Sequence, residues 1–81
     1  MNTMLKNEQK IIDAARSYAL VNLRDAISVK DVVLEYQDIY GESVSYGAVG
    51  HVLHRHQEFF QPVFNRHNQI LYYIYNPAGA R

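Results

Sequence analysis

The sequence predicts an α+β domain in which a three-helix bundle is followed by a C-terminal β-hairpin. Up to about residue 56, apolar residues recur at helical spacing in three separate runs. Residues 59–65 and 69–75 are instead rich in aromatic and β-branched residues, a composition typical of strands. A chain of 81 residues makes one small domain, residues 1–81, in which 1–5 and 76–81 are expected to be flexible tails.

The first helix is expected over residues 6–23, which contain neither glycine nor proline. Glu8 in the first turn and Arg16 further along match the polarity of the helix dipole. The apolar positions at helical spacing are Ile11, Ile12, Ala15, Tyr18, Ala19 and Leu23. A short break follows at residues 25–27, where Ile27 is expected to add one extended residue to a sheet.

The second helix has sequence signals at both ends. Ser28 begins a capping box in which the Asp31 side chain accepts a hydrogen bond from the Ser28 N–H group. Ile27 and Val32 flank this start as a hydrophobic staple. Gly41 follows the helix as a left-handed terminator, so residues 28–41 are predicted as one well-bounded element.

A third helix is expected to begin at Ser45, whose side chain can cap it. Val49, Val52 and Leu53 form an apolar stripe that faces the rest of the domain. The opposite side contains no acidic residue and includes two glycines, which have no side chain. Its members are Tyr46, Gly47, Gly50, His51, His54 and Arg55. Such a side is suited to insertion into the major groove of DNA.

The predicted hairpin has alternating faces with large residues on both. The strands run from Phe59 to Asn65 and from Gln69 to Tyr75, and Pro62 is tolerable if the first is an edge strand. Tyr73 and Tyr75 share one face of the second strand. Residues 70, 72 and 74 share the other. We expect Ile70, Tyr72 and Ile74 to face the core and the remaining tyrosines to leave an exposed aromatic surface.

This order of elements resembles the winged helix-turn-helix family of DNA-binding domains, over roughly residues 8–75. The resemblance is carried by the capped S-V-K-D-V-V of helix 2, the V-S-Y-G-A-V-G-H-V-L of helix 3, and the hairpin F-F-Q-P-V-F-N-R-H-N-Q-I-L-Y-Y-I-Y. It implies that helix 3 enters the major groove. It also implies that the hairpin tip, the wing, contacts phosphate or the minor groove through Arg66, His67 and Asn68.

Sequence-specific binding of double-stranded DNA, and with it transcriptional regulation, is therefore the expected function. The hydroxyls of Ser43 and Ser45 would hold a phosphate at the start of helix 3, and Arg66 would hold a flanking one. Three alternatives stay open on helix 3. Tyr46 either contacts bases or packs on the hairpin. Arg55 is either a DNA contact or a solvated cation near the helix end, and the glycines serve either DNA approach or packing against helices 1 and 2, with packing favoured for one of them.

Charge gives a divided indication. The net charge is zero, which argues mildly against nucleic-acid binding. Residues 1–42 contain five Lys/Arg and seven Asp/Glu, whereas residues 43–81 contain three Lys/Arg, one Asp/Glu and all four histidines. With so few cations, useful affinity favours a homodimer on a two-fold site, joined through helix 1 or the hairpin. The alternative function is a protein-interaction module that uses the aromatic hairpin face.

Other classes of function find little support in the sequence. The chain has no cysteine, and its histidines lack the further ligands of a zinc site, so no metal or cofactor is expected. No spacing indicates a catalytic triad or a phosphate loop, so neither an enzyme nor a small-molecule substrate is expected. No apolar run approaches 18 residues, so we expect no membrane partner and a cytoplasmic location.

Overall fold

The computed structural model describes residues 7–78 and confirms the predicted α+β class. Three helices accompany a three-stranded antiparallel sheet. In chain order the elements are α1 (Glu8–Val21), β1 (Ala26–Ile27), α2 (Val29–Tyr40), α3 (Tyr46–Arg55), β2 (Phe60–Phe64) and β3 (Ile70–Tyr75). Of the tails predicted at 1–5 and 76–81, residues 1–5 and 79–81 lie outside the described residues. Residues 76–78 form a turn in which the Ala78 N–H donates to the Asn76 side chain.

Helix α1 ends at Val21, earlier than predicted, and Leu23 does not belong to its apolar face. Leu23 has a left-handed backbone with φ 53° and is 91% exposed. The Arg24 N–H donates to the Ala19 carbonyl at 3.0 Å and the Leu23 N–H to the Leu20 carbonyl at 3.4 Å. These bonds are those of a Schellman motif, which closes the helix before Leu23 can join its buried side.

Helix α2 has the boundaries that its capping signals predict. The Ser28 Oγ accepts from the Asp31 N–H at 3.1 Å, and the Asp31 carboxylate accepts from the Ser28 N–H at 3.0 Å. At the other end Gly41 has φ 67°, in the left-handed region, and its N–H donates to the Gln37 carbonyl. The capping box and the glycine terminator are both confirmed.

Strand β3 is the middle strand of the sheet, with order β1-β3-β2. Ile27 lies opposite Tyr73, so the extended residue predicted before helix 2 does join the sheet. Phe60 lies opposite Tyr75, and Pro62 occupies edge strand β2 as predicted. The pairing of β2 with β3 changes register between Val63 and Phe64.

The core lies between the three helices and the face of the sheet that carries Tyr73 and Tyr75. These tyrosines are only 2% and 5% exposed, whereas Ile70 is 40% and Tyr72 36% exposed. The prediction that residues 70, 72 and 74 face the core was therefore wrong. The helices cover the face on which Ile27 and Phe60, the partners of Tyr73 and Tyr75, are fully buried. The remaining core residues are Ile11, Ala14, Ala15, Ala19, Val32, Tyr36, Val49, Val52 and Leu53.

Candidate nucleic-acid interface

Helix α3 turns its apolar stripe inward and leaves its other side open to solvent. Val49, Val52 and Leu53 are fully buried. The Ser45 Oγ caps the helix by accepting from the Ala48 N–H at 3.0 Å. The exposed residues on the other side are Tyr46, Gly47, His51, His54 and Arg55, and Gly50 is half-buried. The predicted division of this helix into a core side and an outer side is therefore present.

The two glycines of α3 have no close neighbours that would require them. A Cβ added at Gly50 would meet the Val29 Cγ2 at 3.9 Å, which is ordinary van der Waals contact. At Gly47 no described atom would lie within 4 Å of the added Cβ. A glycine inside a helix costs about 1 kcal/mol relative to alanine. Packing against α2 therefore accounts for neither glycine, least of all for Gly47.

Arg55 lies at the end of α3 and forms an ion pair with α1. Its Nη1 is 3.2 Å from the Glu8 Oε1, and its side chain remains 41% exposed. The neighbouring His56 places Nε2 at 2.5 Å from the Glu8 Oε2. Glu8 itself is 1% exposed, so a buried carboxylate joins α1 to the C-terminal end of α3. Arg55 is thus neither a free surface cation nor withdrawn from solvent.

The exposed histidines of α3, His51 and His54, do not belong to a metal-binding group among the described residues. The His54 ring lies within hydrogen-bonding distance of the Gln57 amide, at 3.3 Å. Across residues 7–78, no group of three or more His, Cys, Asp or Glu side chains is placed to hold a metal ion. His51 and His54 therefore present imidazole rings to solvent, where they can donate or accept hydrogen bonds.

The turn before α3 contains one carboxylate, Glu42, and Lys10 is bound to it. The Lys10 Nζ lies 3.1 Å from the Glu42 Oε1, which also accepts from the Tyr36 hydroxyl at 3.0 Å. The hydrogen bond and the charge of Glu42 raise the pKa of Lys10. Ser43 and Ser45, which follow Glu42 in the chain, are both exposed. The acid nearest the start of α3 is thus paired with a lysine on the adjacent surface.

The hairpin tip is a tight turn organised by Asn65. The Asn65 Oδ1 accepts from the backbone N–H groups of His67 at 2.7 Å and Gln69 at 3.1 Å. The Asn65 N–H donates to the Gln69 carbonyl at 2.9 Å, and Asn68 has the left-handed φ of 62°. The predicted tip residues Arg66, His67 and Asn68 are all exposed. The candidate residues therefore form two exposed groups, one on and before α3 and one at the hairpin tip.

Comparison with known proteins found no relative of this chain: no protein-family model, no curated protein and no solved structure matches it. Within residues 7–78 there is also no helix long and apolar enough to cross a membrane. The exposed side of α3 and the hairpin tip are therefore interpreted from their own chemistry. That chemistry consists of hydroxyls, imidazoles, guanidinium groups and one tyrosine, with no carboxylate between Tyr46 and Arg55.

Proposed function

We propose that this chain is a winged-helix protein that binds double-stranded DNA sequence-specifically, as a cytoplasmic transcriptional regulator. In this proposal α3 enters the major groove and the β2–β3 hairpin is the wing. The order of helices and strands supports it, as does the short strand β1 that joins the hairpin sheet. Neither a catalytic role nor a cofactor is part of the proposal.

The observation that carries the proposal is Gly47. It lies in the first turn of α3, is exposed, and has open space where a side chain would stand. A residue that weakens its helix without relieving a contact inside the domain is explained by a partner that approaches the backbone closely. In a recognition helix, the N-terminal residues lie nearest the bases, so Gly47 is where DNA would come closest.

The exposed groups suit distinct parts of a DNA site. Tyr46 and His51, nearest the helix start, would contact base edges. The hydroxyls of Ser43 and Ser45, with the N–H groups of the first turn, would hold a phosphate. Gly50, His54 and Arg55 complete the outer side of the helix, where Arg55 can use the N–H groups that Glu8 does not engage.

At the wing, the proposal assigns the flanking backbone contact to Arg66. Its guanidinium is suited to phosphate, and His67 and Asn68 beside it offer further donors. Because few cationic residues are involved, the affinity should depend only weakly on salt for each protomer. A shallow salt dependence would thus accompany genuine binding and would not count against it.

The test is a charge placed at Gly47. Duplexes selected from a random pool would serve as probes in electrophoretic shifts at low salt. Gly47→Glu should abolish binding, because its carboxylate would face the polyanion. The same change should leave the fold as stable or slightly more stable, since it replaces a helical glycine and puts an acid in the first turn.

The matched control is Gln37→Glu, which adds the same charge on the exposed side of α2. This variant should bind within about twofold of the unaltered protein, because Gln37 is not among the proposed DNA contacts and an exposed charge outside them is screened. Equal binding by Gly47→Glu and the unaltered protein would overturn the proposal. So would the absence of any duplex shift at low salt, since groove-binding proteins retain nonspecific affinity there.

A second candidate function, a protein-interaction module, is favoured by a different observation. Large apolar residues are exposed along the hairpin, and DNA binding through α3 does not use them. They are Phe64, Ile70, Leu71 and Tyr72. A chain that fails to shift any duplex while these residues bind a protein partner would have this function instead.

A further inference from the structure

Strand β3 has a neighbour on both sides over only part of its length. Strand β2 pairs with it from Ile70 to Tyr75, but β1 pairs with it only at Tyr73 and Ile74. After Ile27 the chain leaves the sheet, because Ser28 caps α2. Across the described residues, the β1-facing edge of β3 at Ile70–Tyr72 therefore has no strand beside it. We call this segment the open edge.

Leu71, at the centre of the open edge, has no opposite residue in either neighbouring strand. The register change pairs Val63 with Tyr72 and Phe64 with Ile70, which passes over Leu71. The pairing with β1 stops at Tyr73. Leu71 is also 54% exposed, with Ile70 and Tyr72 on either side at 40% and 36%. A large apolar side chain is thus displayed at the place where the sheet is incomplete.

The open edge contains none of the charged residues or prolines that commonly discourage edge-to-edge association. The other edge of this sheet has Pro62 in β2. Residues 69–76, in contrast, contain neither a charge nor a proline. By residue type, therefore, the open edge is the one that a further strand can approach without meeting a charge or a proline.

A second copy of the chain is the occupant that this edge fits. A two-fold contact requires a surface complementary to itself. Antiparallel pairing centred on Leu71 would set Leu71 against its own copy and Ile70 against Tyr72 on both sides. Aromatic and β-branched residues are favourable cross-strand neighbours. Since the segment is uncharged, no like charges would meet.

We propose that two copies of this protein associate through antiparallel pairing of β3 at Ile70–Tyr72. The two three-stranded sheets then form one continuous sheet of six strands. The contact uses the exposed apolar hairpin residues and leaves the predicted α3 contacts out of the pairing. It requires no DNA, so it holds or fails independently of the function proposed above.

The first test is the mass of the protein in solution. Sedimentation equilibrium without DNA should give twice the chain mass of 9.4 kDa at tens to hundreds of micromolar. Leu71→Lys should weaken dimerisation by at least about tenfold, because two lysines would face each other across the two-fold axis. Leu34→Lys is the matched control. Leu34 is also a 54% exposed leucine, but it lies on α2, so this variant should remain dimeric.

The second test can detect the contact even in a variant that weakens it. The chain has no cysteine, so Leu71→Cys introduces a single thiol. Opposite residues in an antiparallel pair have Cα atoms about 4.5–5.5 Å apart, within disulfide range. Oxidation should therefore link Leu71→Cys into covalent dimers much faster than Leu34→Cys.

Three results would overturn the proposal. The unaltered protein could sediment as a monomer throughout this concentration range. Leu71→Lys and Leu34→Lys could change the dimer equally. The two cysteine variants could cross-link at the same rate. Circular dichroism of each variant would confirm that it is folded, and a misfolded Leu71→Lys would leave the comparison of cysteine variants decisive.

Discussion

Glu8 is a buried carboxylate that connects two distant parts of the chain. One oxygen contacts Arg55 and the other His56, both at the end of α3. A buried carboxylate requires partners, because burial removes the water that would otherwise solvate its charge. Arg55 therefore contributes to the position of α3 as well as to its exposed side. Its replacement alone would be a poor test of DNA contact, because the fold would change with it.

Replacement of Glu8 by glutamine should weaken the fold. The Glu8→Gln variant keeps the size of the side chain but loses the carboxylate that contacts Arg55 and His56. Hydrogen bonds to charged groups contribute about 1.5–3 kcal/mol, so a loss of unfolding free energy in this range is expected in urea titrations. Glu58→Gln, at an exposed carboxylate near the same helix end, should change it by less than about 0.5 kcal/mol. Equal effects would mean that the Glu8 contacts add no stability.

The role of Glu8 was not predictable from local sequence. A glutamate in the first turn of a helix is well explained by the helix dipole, and that was its predicted role. Its contacts lie 47 and 48 residues away, at Arg55 and His56. Nothing in the spacing of these residues signals that they meet. Ser45, in contrast, was predicted as a cap because its partner Ala48 is three residues away.

At the scale of elements, α2 begins and ends where its local signals place it. Ser28→Ala should lower the free energy of unfolding by about 1 kcal/mol, because the Asp31 N–H loses its acceptor. Ser43→Ala is a suitable control, since Ser43 is exposed and lies in a turn. Urea unfolding of both variants would show the difference. A Ser28→Ala variant as stable as the Ser43→Ala variant would mean that water replaces the cap without cost.

The hairpin shows the limit of prediction for a single element. Its strands and turn follow from composition, but both faces of β3 carry large residues, so alternation does not identify the core side. Which face of β3 is buried depends on the side of the sheet on which the helices pack. That is the side where Ile27 and Phe60 pair with Tyr73 and Tyr75, and it is a property of the tertiary structure. The end of α1 could not be predicted for a similar reason. Leu23 fits the helical spacing of apolar residues, but its left-handed backbone places it outside the helix.

The whole molecule should lose stability in alkaline solution. Burial raises the pKa of Tyr73 and of Tyr40, and Glu42 raises the pKa of Lys10. Each group thus holds its proton more tightly in the folded state than in the unfolded one. The stability that they contribute is complete below about pH 10, the ordinary range of these groups, and is lost as the pH rises through their folded values.

Urea unfolding at pH 8, 10 and 11 would measure this loss. Tyr73→Phe removes one titrating hydroxyl from the core and should make the decline between pH 10 and 11 less steep. Tyr46→Phe, at a tyrosine that is 55% exposed, should leave the decline unchanged. Stability that is constant up to pH 11 would contradict the expectation that these protons are held by the fold.

The turn at the end of the hairpin has an evolutionary consequence. Its shape depends on the side chain of Asn65, the left-handed backbone of Asn68 and main-chain groups of the neighbouring residues. The side chains of Arg66 and His67 take no part in these bonds and extend the surface of the protein at no structural cost. Mutation at these two positions can therefore explore new chemistry while the loop keeps its conformation. Substitutions at Arg66 and His67 alone could therefore change which partner this end of the molecule binds.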